Sequence, residues 1–218
     1  MKVSLSFFPV ALLTCACFCS SCKTTPYNYD NLRAYKPHSI LILPPINEST
    51  DIRGTYGYLS TITMPIAELG YYVYPVAMMD HFFKENGMPL PGDMHQAPLD
   101  KIHEITGADS VLYINLKQYL TRYMVLNSVT TVTAEARLVS TKDGTVLWHG
   151  TVMAQQDSSG GSGNIIASII GAAFSQIVSK ATDRAHDVSG LANQQYGLKD
   201  RGLLVGPYHP AWLTPLSQ

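Results

Sequence analysis

The spacing of apolar positions along the chain changes several times, and each change predicts an element. Residues 39–47, "SILILPPIN", are a short continuous apolar run of β-prone residues stopped by Pro44-Pro45, which predicts a buried strand leading into a loop. Ser49, Thr50 and Asp51 are capping candidates for the next segment, in which Tyr58, Ile62, Ile66 and Leu69 recur at helical spacing before Gly70. Pro65 falls inside that helix and predicts a kink. "YYVYPVA" at 71–77 reads as a second strand, which completes a β-α-β unit. Short helices are expected at "MMDHFFKENG" and, from Pro98, at "PLDKIHEITG", with the Pro/Gly-rich "MPLPGD" as a loop between them.

From Ser110 the period becomes two. Leu112, Ile114, Leu116, Leu120 and Met124 alternate with Tyr113, Asn115, Lys117, Tyr119 and Tyr123, the signature of a strand with two unlike faces. "LNSV" (126–129) makes a turn, and "TTVTAEARLVS" sets Val132, Ala134, Ala136 and Leu138 against Thr131, Thr133, Glu135 and Arg137. Asp143-Gly144 marks a tight hairpin turn, because these residues tolerate positive φ, and "VLWHGTVMAQ" closes an antiparallel meander. Residues 155–164 form a Gly/Ser-rich loop, and 165–186 predict a helix packed on the sheet. Its apolar stretch from Ile165 to Val178 is shorter than the roughly 20 residues a bilayer span needs. Pro207, Pro210 and Pro215 exclude regular helix from the tail.

The first residues follow another logic. Lys2 is the only charge among residues 1–21, and the apolar run after it has the length of a secretory signal's core, interrupted by Pro9 and followed by polar sequence. All four cysteines lie here, at Cys15, Cys17, Cys19 and Cys22. A zinc site would need a second ligand pair on a folded frame, and no later cysteine exists. A cysteine between an apolar run and a polar linker instead suits a bacterial lipoprotein signal. Cys22, after Ser20-Ser21, is the expected lipidated residue, with Cys17 after Ala16 as the rival. The chain then divides into a signal peptide (1–21), a lipidated N-terminus and tether (22–38), a single globular α/β domain (39–190) and a Pro-rich tail (191–218) packed on or near it.

Composition narrows the function classes. A formal net charge of -1, with 46% hydrophobic and 14% charged residues, describes an ordinary globular chain and argues against disorder or nucleic-acid binding. The seven histidines are scattered, and none forms a metal-binding or zinc-protease spacing. His81, His95, His103 and His149 read as surface or structural residues. "SSGGSG" lacks the lysine and hydroxyl that end a phosphate loop, and no nucleophile elbow is present. No catalytic residue, metal or cofactor is expected, so the chain reads as non-enzymatic. The polar side of the meander is the more informative feature: it reads either as an ordinary solvated antiparallel sheet or as a surface on which Tyr113, Tyr119, Tyr123, Thr131, Thr133 and Trp148 are candidate partner-binding residues, through the face or an exposed edge.

The stretches "SILILPPINESTDIRGTYGYLSTITMPIAELGYYVYPVAMMDHFFKENGM", "GADSVLYINLKQY", "TTVTAEARLVSTKDGTVLWHG" and "GLLVGPYHP" closely resemble a family of Gram-negative lipoproteins long filed as a domain of unknown function, which includes a meningococcal surface-lipoprotein vaccine candidate. The resemblance implies a fold similar to the N-terminal domain of TolB, an α/β sandwich with a mixed sheet. It brings no catalytic motif, and only the lipidated cysteine, Cys22, carries over. Relatives are typically encoded beside a CsgG-like lipoprotein and another small lipoprotein. The implied function is that of an outer-membrane lipoprotein, on the periplasmic or surface face, binding proteins as an accessory of a CsgG-like secretion or envelope assembly. Homo-oligomerisation stays open. Similar folds occur in lipoproteins that activate peptidoglycan synthases, so regulation of such a synthase or hydrolase is the alternative. Lys23 after Cys22, rather than aspartate, matches lipoprotein sorting to the outer membrane.

Overall fold

A computed structural model describes residues 27–123, 128–157 and 183–213. In chain order the elements are α1 (Asp30–Tyr35), β1 (Ser39–Ile42), β2 (Ile46–Asn47), α2 (Gly54–Glu68), β3 (Tyr72–Val73), α3 (Val76–Glu85), α4 (Pro91–Met94), α5 (Leu99–Thr106), β4 (Ser110–Tyr123), β5 (Ser128–Ser140), β6 (Val146–Asp157) and α6 (Arg184–Asn193). One mixed sheet carries them, in the order β3-β1-β4-β5-β6, with β2 paired to β4 as well. The pairs among β1, β2, β3 and β4 are parallel, and β4-β5-β6 is the antiparallel meander. Prolines lack the N–H a ladder needs, so Pro44-Pro45 divides one extended segment into β1 and β2, both on the same side of β4.

Helices cover both faces of the sheet. On the inner face, Ile40, Ile42, Leu112, Ile114 and Leu116 pack with Tyr58 and Ile62 of α2 and with Val188 and Ala192 of α6. On the outer face, Leu41, Leu43, Val111, Tyr113 and Val139 pack under Phe83 of α3, Met94 of α4 and Ile102 of α5. β1 is therefore buried at every position, as its unbroken apolar run predicts. The outer helices are short and cover only the end of the meander near Val111; Glu135, Arg137, His149 and Thr151 beyond them are exposed.

Four expectations change. The alternation along β4 reverses after Leu116: Leu116 faces Ala134, but Gln118 faces Thr133, so one extra residue is inserted at Lys117. Tyr119 is consequently fully buried, and Leu120 is only partly so. Trp148 also belongs to the inner core, 2% exposed, and not to the polar face.

The tether is the third change, since residues 27–38 join the fold. Leu32 and Tyr29 are buried, the Tyr29 hydroxyl donates to the Gly202 carbonyl (2.8 Å), and Asn31 donates to the Val146 carbonyl (2.9 Å). α1 is too short for its period to show in the sequence, and tyrosines supply much of its apolar area.

Last, the boundary at residue 190 falls within α6, whose Leu191, Ala192 and Asn193 are buried; Tyr196 just beyond meets Tyr58, hydroxyl to hydroxyl, at 3.1 Å. α2 runs through Pro65 to Glu68. The signal segment with Cys17 and Cys22, Met124 and most of its turn, and most of the 165–186 helix lie outside the described residues. Among the described residues no helix is long and apolar enough to cross a membrane.

Asp109 ties the start of β1 to β4. Its Oδ2 accepts from the backbone N–H of His38 (2.8 Å) and Ser39 (3.0 Å) and from the Ser39 hydroxyl (3.2 Å). Removing the acceptor leaves these donors unpaired at the edge of the core. Asp109→Ala is expected to cost about 1–3 kcal/mol, read as a lower urea midpoint at unchanged slope.

Candidate functional site

Cross-strand register builds the outer face of the meander in rows, from the buried Tyr113 outward. Tyr113 of β4, Arg137 of β5 and His149 of β6 stand side by side, and the next row is Asn115, Glu135 and Thr151. α4 ends beside them and brings in His95 and Gln96. Together these residues line an open groove of about 640 Å³. Farther along come Gln118, Thr133 and Met153, then Leu120, Thr131 and Gln155.

The groove is held by specific contacts. The Arg137 guanidinium lies over the Tyr113 ring, 4.9 Å from its centre, and the His95 ring meets the same tyrosine edge-on at 5.3 Å. His95 Nε2 is 3.0 Å from the Pro44 carbonyl oxygen, which can only accept, so this nitrogen carries the proton. Burial pushes the His95 imidazole below its ordinary pKa; the Pro44 contact opposes the shift and the Arg137 charge adds to it. Burial likewise raises the Tyr113 phenol. Glu135 is 3.5 Å from Lys117, which also binds Glu48 at 2.9 Å. No carboxylate among the described residues pairs with Arg137.

The outer edge strand, β6, is partly blocked by side chains. Asn31 donates to the Val146 carbonyl, the His149 N–H donates to the Tyr27 hydroxyl (2.8 Å), and the Gln195 amide both accepts from the Met153 N–H and donates to its carbonyl. Gln195 thus stands in for one residue of a neighbouring strand. Such blocking guards an edge against pairing with another chain, so the open surface is the face rather than the edge.

Of the residues the polar-face reading named, Tyr113, Thr131 and Thr133 lie on the outer face, Tyr123 is 86% exposed at the end of β4, and Tyr119 and Trp148 are in the core. His95 and His149, read separately as surface or structural residues, share one groove. Arg137 was visible only as a polar position in an alternating strand. Its pairing with Tyr113 follows from the hairpin register, but nothing in the sequence announces that α4 brings His95 to the same place. The described residues hold no cluster of three or more metal-ligating side chains.

The chain's relatives are consistent in kind. A sequence family described as "Putative lipoprotein GNA1162-like" matches residues 27–208, which begin at the tyrosine that caps β6. The Neisseria meningitidis serogroup B protein described as "Putative lipoprotein NMB1124/NMB1162" is 39% identical over 191 residues, 87% of this chain and 89% of that one. The crystal structure of lipoprotein GNA1162 from Neisseria meningitidis is similar at 47% identity and a TM-score of 0.53, covering 56% of this chain and 85% of that chain. A remote likeness, the LpoB C-terminal domain from Salmonella enterica, has 18% identity and a TM-score of 0.41 over 56% of this chain and 85% of that one, and nothing about partners transfers at that distance. With the match running from α1 through the last buried residues of the C-terminal segment, this chain belongs to the GNA1162-like lipoprotein family.

Proposed function

We propose that this protein is an outer-membrane lipoprotein, anchored through Cys22, whose α/β domain is non-catalytic and works by binding another protein as an accessory of a CsgG-like secretion or envelope assembly. The observation that carries the binding role is the bare outer face at the far end of the meander. There Gln118, Leu120, Thr131, Thr133, Met153 and Gln155 form an uncharged surface with apolar members, bordered by Arg122 and Asp157 in the next row, in keeping with the depletion of charge at the centres of protein interfaces. Lys23 supports outer-membrane sorting, and the choice of a CsgG-like partner, with a small lipoprotein beside it, rests on the family resemblance. Regulation of a peptidoglycan synthase ranks lower. Only four residues separate Cys22 from the folded Tyr27, too few to carry the domain far from its membrane.

Mild cross-linking in native membranes followed by purification and mass spectrometry tests this reading. A CsgG-like protein is the expected companion. Recovery of the protein alone, or with peptidoglycan synthases instead, would overturn it.

A further inference from the structure

We infer that the Arg137 groove binds the phosphate headgroup of an anionic phospholipid and so orients the domain on its membrane. The inference goes beyond protein binding by the far end of the meander, and it takes from the reading above only that Cys22 is the anchor.

Three observations meet here. First, the leash is short. The Tyr27 hydroxyl is bonded to the His149 N–H and its ring is 5.7 Å from the His149 ring, so the first described residue lies at the rim of the groove. From Cys22 to Tyr27 an extended chain spans at most about 18 Å. A lipid on Cys22 therefore keeps Tyr27, and with it His149 at the rim of the groove, within reach of the headgroup layer.

Second, Arg137 is prepared for an anion. Its guanidinium is steadied on Tyr113 and offers a planar fork of donors suited to phosphate, with no carboxylate partner among the described residues. Third, the surrounding groups are compatible. Gln96, Asn115 and Thr151 add neutral polar groups, while the carboxylate of Glu135 in the next row is drawn toward Lys117, which it shares with Glu48. His95 keeps its Nε2 proton on Pro44. The groove is open enough to admit a headgroup from the surface.

The test uses residues 22–218, which contain every described element, made without lipid and with Cys22→Ser so that the groove acts without the anchor. Sedimentation with vesicles containing phosphatidylglycerol should exceed that with phosphatidylcholine vesicles. Arg137→Gln should weaken it about tenfold, the value of one good charge-assisted contact. Arg137→Lys, which keeps the charge and loses the fork, should fall between. Lys101→Gln makes the same charge change on α5, outside the groove, and should leave binding intact; circular dichroism confirms that each variant is folded.

Equal binding to both kinds of vesicle would overturn the inference, as would equal weakening by Lys101→Gln and Arg137→Gln. So would Arg137-dependent capture of a peptide's free carboxylate without vesicle binding, which would make the groove a peptide site. Failure of these assays leaves the cross-linking result above untouched, so the two readings fall separately.

Discussion

Trp148→Ala is expected to cost about 3–5 kcal/mol, a large part of the roughly 5–15 kcal/mol that holds a domain of this kind together. Trp148 is among the largest fully buried side chains, at 2% exposure. Its ring packs 5.7 Å from that of Tyr196, and its Nε1–H donates to the Arg201 carbonyl at 3.1 Å. Gly150 leaves the space the ring fills, since a Cβ there would sit 2.5 Å from Cζ2. Truncation would open a cavity between β6 and the C-terminal segment and orphan the Arg201 carbonyl at once. Thermal unfolding should fall by on the order of 10 °C. Trp148→Phe keeps most of the packing and loses only the hydrogen bond, so it should cost about 1–2 kcal/mol. If the two substitutions cost the same, the C-terminal segment is held by the hydrogen bond and not by the ring.

Cys22→Ala is expected to move essentially all of the protein from the membrane to the soluble fraction. Each buried methylene of an acyl chain contributes about 0.8 kcal/mol, so multiple chains hold a protein firmly. No described helix replaces them. A groove that recognises headgroups orients a protein already anchored, but one phosphate site is weak beside several acyl chains. Fractionation with palmitate labelling checks the outcome. Membrane retention in Cys22→Ala that disappears in Cys17→Ala would move the anchor to Cys17.

The two results bear on different parts of the chain, and so does the question of what could be read in advance. The unbroken run of β1 and the alternation of β5 were legible because burial on two faces or on one leaves a direct mark on composition. The inserted residue at Lys117 left a fainter one: "YINLKQYL" breaks its alternation only at Lys117-Gln118, two polar residues in succession, and it takes the pairing with β5 to show that Tyr119 turns inward. α1 was hidden for another reason. A six-residue helix makes under two turns, so Leu32 alone cannot show a period, and the segment looks like a polar linker until Tyr29 and Asn31 find Gly202 and Val146.

The candidate site divides the same way. Tyr113, Arg137 and His149 share a face by strand parity, which hairpin register settles locally. His95 comes from a four-residue helix in a Pro/Gly-rich stretch, and its place depends on Met94 docking in the outer core.

By itself, then, the sequence determined the class of fold, the meander with its tight turn and the family of lipoproteins, because periodicity, turn chemistry and matching segments are local properties. Only the tertiary structure decided that residues 27–38 join the fold, which tyrosines are core and which surface, and that Arg137 stacks on Tyr113. Those depend on contacts between residues far apart in the chain, such as Tyr27 with His149 and Tyr29 with Gly202, and no local pattern encodes them.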